Sequence, residues 1–579
     1  MKLVKMRQDT AEPEPVSLVE QGGPSKTSRL LNLSRMLSSW RGRVWPLLLV
    51  VLLVILLVPY LRATAATLRH GLSPSTSVLL PLFLIAGAST IAFFSLTRPV
   101  WALAVFFAVA PVTSGLVTWV GIGDPALQRK AGLLGVEILF LSLALGLLLR
   151  RVIWPDPGGT RRVENRVIVY ALAVLASMIL FYLSDPWWWD RLILAWRHIP
   201  SGRQLSPNYP FRAGLLILAS LLCYRLTADR LRSSGEIRLV CRGWLVGAGL
   251  TGFYGLSVWA TWQWGQYAQV GSLLEDVNAY GSYLVLTLFV AWGEWLTEKG
   301  WWARAVAGLV VLLTVLMIPL AGSRIAMIAA TAGAGIAWTT LARSVKGRWV
   351  RGGVLAALGG GILLFSLAGG YGLIDRAFQT HPRLASLGLT RVAQAMDAGV
   401  VLEAWQRQRQ GFAEAGIRMV KENPVFGMGP GTAYRELGRG HYYGPSDRGY
   451  VIAMHENLYN YFIQYGPSDR GYVIGVHQNL HNYFIQVAAE TGLLGLAGFL
   501  WIVFAALVGG FSRNLGKERL LARFLSIGVG AYLITAFTSH PLILSRQALL
   551  FWGYLGILAA CAQLSHPSFS GQRSKDLGL

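Results

Sequence analysis

Long apolar runs recur along almost the whole chain and constrain its fold more than any other feature. A run of about 17 to 25 apolar residues can cross a lipid bilayer as a helix. The composition agrees, since 54% of the 579 residues are hydrophobic and 14% are charged, against about a quarter charged in soluble proteins. We therefore predict an all-α, polytopic membrane bundle of roughly 12–14 transmembrane helices with one long extracytoplasmic loop.

The loops between the predicted spans differ strongly in charge. The spans are 45–62, 76–96, 100–121, 131–149, 167–184, 211–227, 239–260, 279–296, 305–321, 325–342, 352–374, 487–511, 524–541 and 546–564. If the N-terminus is cytoplasmic, every strongly basic short loop falls on the cytoplasmic side, as the positive-inside rule requires. This arrangement explains most of the net charge of +24 without a nucleic-acid partner.

These spans and loops divide the chain into six parts. We predict a disordered cytoplasmic tail over 1–44, N-terminal transmembrane helices over 45–238, central ones over 239–374, an extracytoplasmic loop domain over 375–486, C-terminal transmembrane helices over 487–564 and a cytoplasmic tail over 565–579. The three cysteines lie in or beside apolar runs, and their spacing indicates neither a metal site nor a disulfide framework.

The long loop contains a 22-residue tandem repeat, Tyr443–Gln464 followed by Tyr465–Gln486. The two copies differ at four positions, and the second copy has His481 where the first has Tyr459. Two copies are too few for a solenoid, so we interpret the repeat as a local duplication.

His481 is the first candidate for chemistry, because it lies where the polar loop becomes a membrane helix. The positive end of a helix dipole disfavours imidazolium, and a neutral histidine can act as a general base. A hydrogen-bonding interfacial histidine is the alternative. His477 precedes it by one helical turn, but no third metal ligand is obvious. Glu490, inside the apolar run, is expected to face away from His481 and to hydrogen-bond structurally.

Arginines supply the second part of the candidate site. Arg324 lies in a tight turn between two nearly charge-free helices. Placing its charge there is unfavourable unless the guanidinium binds a phosphate or reaches the membrane interface. Arg407 and Arg409 precede a predicted amphipathic helix over 411–422, which Asn423-Pro424 ends. Gly427 and Gly429 then form a compliant structural loop, and no helix of the nucleotide-binding type follows.

Four segments together resemble the O-antigen ligase/polymerase family of bacterial membrane glycosyltransferases. HNYFIQVAAETGLLGL is similar to the family's His-Asn…Glu-x-Gly-x-x-Gly signature, and RQGFAEAGIRMVKENPVFGMGPG to its Arg…Asn-Pro-x-x-Gly-x-Gly segment. AGSRIAM resembles the Ser-Arg turn, and EDVNAYGSYL the Asn-bearing entry to the preceding helix. The resemblance covers roughly Leu239 to Leu542.

The resemblance implies transfer of a glycan from an undecaprenyl-pyrophosphate carrier to a lipid or glycan acceptor, at the bilayer and without metal or cofactor. It implies that Arg324 and Arg409 contact the pyrophosphate and that His481 acts on the acceptor hydroxyl. We add a substrate-binding set: Arg407, His477, Asn482 and Asn278. Ala413 stands where many members have Trp, so the second arginine could be Arg407, and the duplication lengthens the loop before His481.

Several functions remain open at this point. Within the family, ligase-type transfer is slightly favoured over polymerisation, and transfer to a protein hydroxyl is a third branch. A secondary transporter or flippase would need ionisable residues near the midplane and repeats of helices, and few such features are present. An inactive homologue acting as an assembly scaffold is a further alternative, since the duplication could displace His481.

Overall fold

The structure is a computed structural model that describes residues 47–51, 53–54, 74–113, 125–154, 165–184, 193, 209–261, 272–274, 276–342, 399, 410–439, 480–512 and 518–564. Over these residues the chain is helical, with fourteen α-helices, three short 3-10 turns and no strand. The helices are α1 (Pro74–Thr97), α2 (Pro99–Val109), α3 (Pro125–Ile153), α4 (Asn165–Leu183), α5 (Tyr209–Arg230), α6 (Ser234–Thr261), α7 (Val277–Thr297), α8 (Trp301–Ala321), α9 (Arg324–Ala342), α10 (Gln410–Glu422), α11 (Thr432–Arg439), α12 (Tyr483–Phe511), α13 (Arg519–Ala536) and α14 (Ser545–Gln563).

Six of the described helices are long and apolar enough to cross a membrane: α4, α5, α8, α9, α12 and α13. Their outer surfaces are apolar as well. On α8, Leu312 is 66% exposed, whereas Leu313 beside it is buried. Such a surface is unfavourable in water but not in hydrocarbon. The predicted all-α polytopic membrane bundle is thus confirmed for the described part of the chain.

The centre of the bundle is held by aromatic packing around Trp244 of α6. Its ring stacks on Tyr283 of α7 and meets the edge of Tyr554 of α14, both at 5.4 Å between centroids, and lies 5.7 Å from Phe107 of α2. The indole N–H donates to the Thr287 hydroxyl over 3.0 Å, which satisfies its one buried donor. One residue therefore joins four helices.

One end of the bundle, here the basic end, carries interlocked ion pairs. Arg238 contacts Glu518 at 3.2 Å, Arg242 contacts Glu298 at 2.7 Å, and Arg151 contacts Asp229 at 3.7 Å. These pairs tie together the ends of α3, α5, α6, α7 and α13, as expected when successive helices run antiparallel. The basic loops predicted to share one side are adjacent wherever the structure describes them.

Most helix boundaries lie close to the predicted ones, with two corrections. The span predicted over 100–121 is wrong as a single helix, because α2 ends at Val109 and a 3-10 turn with Pro111 occupies Ala110–Val112. The amphipathic helix predicted over 411–422 is confirmed as α10. The span predicted to reach 541 is wrong at its C-terminal end, because α13 stops at Ala536 and Pro541 begins a 3-10 turn. The span over 352–374, the tandem repeat and most of the span over 45–62 lie outside the described residues.

Candidate functional site

His481 has the most unusual backbone in the described part of the chain. Its φ of 46° is the only positive φ of a described residue other than glycine. Asn482 follows as the N-cap of α12, and its side-chain oxygen accepts from the backbone N–H groups of Phe484 and Ile485 over 3.0 and 3.1 Å. A non-glycine residue held in the left-handed region costs energy and often marks a functional site.

Two aromatic rings flank the His481 imidazole. Phe412 of α10 lies 5.5 Å away between ring centroids, and His540 lies 5.7 Å away with its ring nearly perpendicular. Phe412 follows Arg409 by three residues in the sequence, and its contact places the first turn of α10 beside His481. The side chains of Arg407, Arg409 and His477 lie outside the described residues.

Helix α10 is packed tightly against the start of α12. A Cβ atom on Gly416 would stand 3.0 Å from a methyl group of Leu480 and would overlap Ile485. Leu480 belongs to a small buried cluster separate from the main core, completed by Phe412, Ala415, Met419, Ala433, Leu437 and Ala489. This cluster fixes His481 relative to α10 and α11.

Arg324 begins α9 at the same end of the bundle as His481. The hydroxyl of Ser323, one residue earlier, donates to the side-chain oxygen of Asn278 over 3.0 Å. One turn along α7, the Ser282 hydroxyl donates to Thr535 near the end of α13 over 2.9 Å, and the connection that follows carries His540. Both predicted asparagines therefore use their side-chain oxygens as acceptors. Asn278 accepts from Ser323 in the turn before Arg324, and Asn482 accepts from the first backbone N–H groups of α12.

Helix α12 is broken at Gly492, where φ is 73° and ψ is 177°. In a continuous helix the N–H groups of residues 493 and 494 would donate to the carbonyls of residues 489 and 490. The break releases these four groups, and in a low-dielectric core each needs another partner.

The loop after α10 supplies those partners. The N–H groups of Met428 and Gly429 donate to the carbonyls of Ala489 and Glu490 over 2.9 and 3.0 Å. In return, the N–H groups of Leu493 and Leu494 donate to the carbonyls of Pro424 and Val425 over 2.7 and 3.4 Å. We call these four bonds, between 424–429 and 489–494, the clasp.

Glycines make the clasp sterically possible. Gly427 and Gly429 have φ values of 68° and 104°. A Cβ on Gly427 would overlap the backbone of Glu490, and one on Gly429 would lie 2.8 Å from Phe181 of α4. The loop thus lies between α4 and α12, and the two glycines contribute no side-chain atoms to these contacts.

Glu490 is buried inside the clasp. Its carboxylate accepts from the Gln486 amide over 2.9 Å and from the backbone N–H groups of Gly431 and Ala433, at the start of α11. Its backbone carbonyl also accepts from the Ser177 hydroxyl of α4 over 2.6 Å. The acid thus joins α12 to α4 and α11.

A small cavity of about 30 Å³ lies beside Glu490. Its lining includes Tyr483, Gln486 and Leu542. The side-chain oxygen of Gln486 is buried and has no hydrogen-bond partner within the described residues. A cavity of this size holds roughly one or two waters, which would satisfy that oxygen.

Two residues near the site are not predicted from the sequence. His540 falls inside the predicted span 524–541, although Pro541 after it signals that the helix has already ended. Buried Arg546, in the first turn of α14, was also missed, and it donates to the carbonyl of Leu273.

Fold and site together define a polytopic membrane protein with a strained histidine at one end of a helical bundle. Residues 309–500, about a third of the chain, match the family model described as O-antigen ligase. Over this segment the chain is similar to that family, which agrees with the resemblance that the sequence motifs indicate. The matched segment includes Arg324, the clasp and His481, whereas Asn278 and His540 lie outside it. A comparison with curated proteins gives no match to this chain.

Proposed function

We propose that the protein transfers a glycan from an undecaprenyl-pyrophosphate carrier to an acceptor hydroxyl, in the manner of an O-antigen ligase. The observation that carries the proposal is the placement of His481. It combines a positive φ, a position directly before the cap of a membrane helix, and contact with the segment that follows Arg409.

The reaction needs only charge neutralisation and one proton acceptor. The bond between the anomeric carbon and the pyrophosphate oxygen breaks, and the acceptor oxygen forms a new bond to that carbon. Arg324, with Arg409 or Arg407, would neutralise the departing pyrophosphate, because a guanidinium group binds phosphate oxygens in a bidentate fork. His481 would take the proton of the acceptor hydroxyl.

The basic end indicates how the protein is oriented in the membrane. Lys and Arg accumulate in cytoplasmic loops, so we assign the basic end to the cytoplasm and the His481 end to the extracytoplasmic face. Both chain termini are then cytoplasmic, and the membrane is the inner membrane of a bacterium. Undecaprenyl pyrophosphate is itself embedded in the bilayer, which agrees with a site at the rim of the bundle.

The test is alanine substitution with a glycan readout. His481→Ala and Arg324→Ala should each abolish transfer, a loss of at least about a hundredfold for a general base, with the protein still present in the membrane. His477→Ala should have a smaller effect. Full retention of surface glycan in the His481 or Arg324 variant would refute the assignment, and equal loss at His477 would reopen a metal site.

Two alternatives are tested separately: a transporter or flippase, and a polymerase of the same family. The broken α12 and buried Glu490 are features that transporters also use near ion sites. Here, however, the backbone groups freed by the break are taken by residues 424–429, which favours a structural break. Uptake of a glycan lipid into proteoliposomes would favour a flippase. Polymerisation would be distinguished from ligation by longer glycan chains on the carrier lipid.

A further inference from the structure

We propose that His540 is a positioning and proton-relay residue for His481, an inference that rests on the proposed function. No motif of the resemblance contains His540, and it lies outside the segment that matches the family model. The two histidines come from different connections, one before α12 and the other between α13 and α14.

The contact between the rings is specific. The imidazole centroids are 5.7 Å apart, and the ring planes meet at 83°. Phe412 lies on His481 as well, at 5.5 Å and 49°. The His481 ring is therefore held by one apolar ring and one ring with ionisable nitrogens, and both histidines are only partly buried.

The connection that carries His540 is fixed on both sides. Phe537 packs on Phe484, in the first turn of α12, with ring centroids 4.6 Å apart. The Ser539 hydroxyl donates to the carbonyl of Thr535 over 2.8 Å, and Leu542 is buried. A side chain held by packing on both flanks keeps its geometry, as a working site requires.

The chemistry explains why a second imidazole is useful there. When the acceptor oxygen attacks the anomeric carbon, its proton passes to His481, which becomes cationic beside a helix N-terminus that disfavours positive charge. With the imidazole centroids 5.7 Å apart, one water can bridge the two rings, so His540 receives that proton through the water and releases it to solvent or to the departing pyrophosphate. The relay makes and breaks only N–H and O–H bonds and leaves both histidines neutral for the next turnover.

The experiment separates a proton relay from simple ring packing. His540→Phe preserves an aromatic ring, and His540→Gln preserves polar atoms, so the two variants remove different properties. Phe537→Leu serves as the structural reference, because it loosens the same connection without touching the imidazole. Each full-length protein is given a glycolipid acceptor and an undecaprenyl-pyrophosphate-linked oligosaccharide over a range of donor concentrations. Release of undecaprenyl pyrophosphate and the melting temperature of the protein are measured.

We expect His540→Phe to lower kcat at least about tenfold, with KM and melting temperature near those of the parent, since general acid–base groups contribute this much or more. His540→Gln should retain more activity than His540→Phe. If kcat stays within about twofold of the parent, or if it falls together with melting temperature as in Phe537→Leu, the inference is overturned. If the parent protein releases no undecaprenyl pyrophosphate, the proposed function itself fails. That outcome is distinct from a failure of the His540 inference alone.

Discussion

The backbone of Gly492 lies against the carbonyl group of Val425 so closely that a Cβ atom on Gly492 would overlap it. These two residues belong to different motifs, and the Val425 carbonyl accepts a clasp hydrogen bond from the N–H of Leu494, two residues after Gly492. Residues 424–429 follow α10 directly, and His481 directly precedes α12. The clasp therefore fixes the position of α10 relative to the helix that begins beside His481.

Gly492→Ala should therefore disrupt both stability and transfer. The new methyl group meets Val425 and Phe426, and a φ of 73° with ψ near 180° is accessible essentially to glycine alone. We expect a loss of about 2–4 kcal/mol in unfolding free energy, visible as a lower melting temperature in detergent.

The matched control is Gly530→Ala in α13, where a Cβ meets nothing within 4 Å. That variant should be neutral or slightly stabilised, because alanine is favoured over glycine in a helix interior. Similar melting temperatures for the two variants would show that the clasp contributes little.

Glu490→Ala should weaken the attachment of α11 to α12. The substitution leaves the Gly431 and Ala433 N–H groups and the Gln486 amide without their acceptor. A buried donor that loses its partner costs about 1–3 kcal/mol. Limited proteolysis should then cut α11, near residues 431–439, faster than in the parent protein. Glu490→Gln, which keeps one acceptor oxygen, should be cut at an intermediate rate. Equal rates of cleavage in all three proteins would contradict a structural role for Glu490.

Glu298, just after α7 at the basic end, should make stability depend on pH. Burial alone would raise the pKa of its carboxyl group, but the Arg242 guanidinium at 2.7 Å and the Lys299 N–H at 3.0 Å outweigh it, so the pKa is lowered. A carboxylate with a lowered pKa stabilises the fold above its unfolded pKa, about 4.3, and loses this contribution as pH falls through the folded value.

Glu298→Gln should accordingly lower the melting temperature at pH 7, and the two melting temperatures should converge as the pH falls through the lowered pKa of the Glu298 carboxyl group. The comparison requires thermal unfolding of both proteins across that pH range. A difference that is constant with pH would mean that the lost interaction is not the ionised carboxylate.

Deletion of Tyr443–Gln464 should leave transfer unchanged or improve it. The deletion removes the first repeat copy and keeps the copy that carries His481. A local duplication adds loop length, and longer surface loops change the free energy of folding only slowly. Surface glycan should be compared between the deletion strain and the parent. A complete loss of glycan would show that the first copy is required.

Much of the fold could be predicted because its causes are local. Long apolar runs specify membrane helices, and the alternation of apolar and polar residues over 411–422 specifies α10. Asn423-Pro424 ends that helix for a steric reason that depends on adjacent residues alone. The position of His481 beside a helix start likewise follows from adjacent residues, because the apolar run begins directly after it.

The contacts of the site could not be predicted, because each joins residues distant in sequence. Nothing near Gly492 shows that the helix breaks there, since a glycine within an apolar run is also compatible with a continuous helix. The break is stable only because residues 424–429 supply replacement hydrogen bonds. His540 likewise acquires its neighbour only when α13 and α12 pack together.

The sequence by itself determined that this is an all-α membrane protein with basic loops on one side and a histidine at a helix entrance, because hydrophobicity, charge and steric restriction act along the chain. The tertiary structure alone decided that α12 is broken at Gly492, that the glycine loop fills the break, and that His540 stands beside His481. The physical reason is that a buried backbone group must find a partner, and which partner it finds depends on how the helices pack.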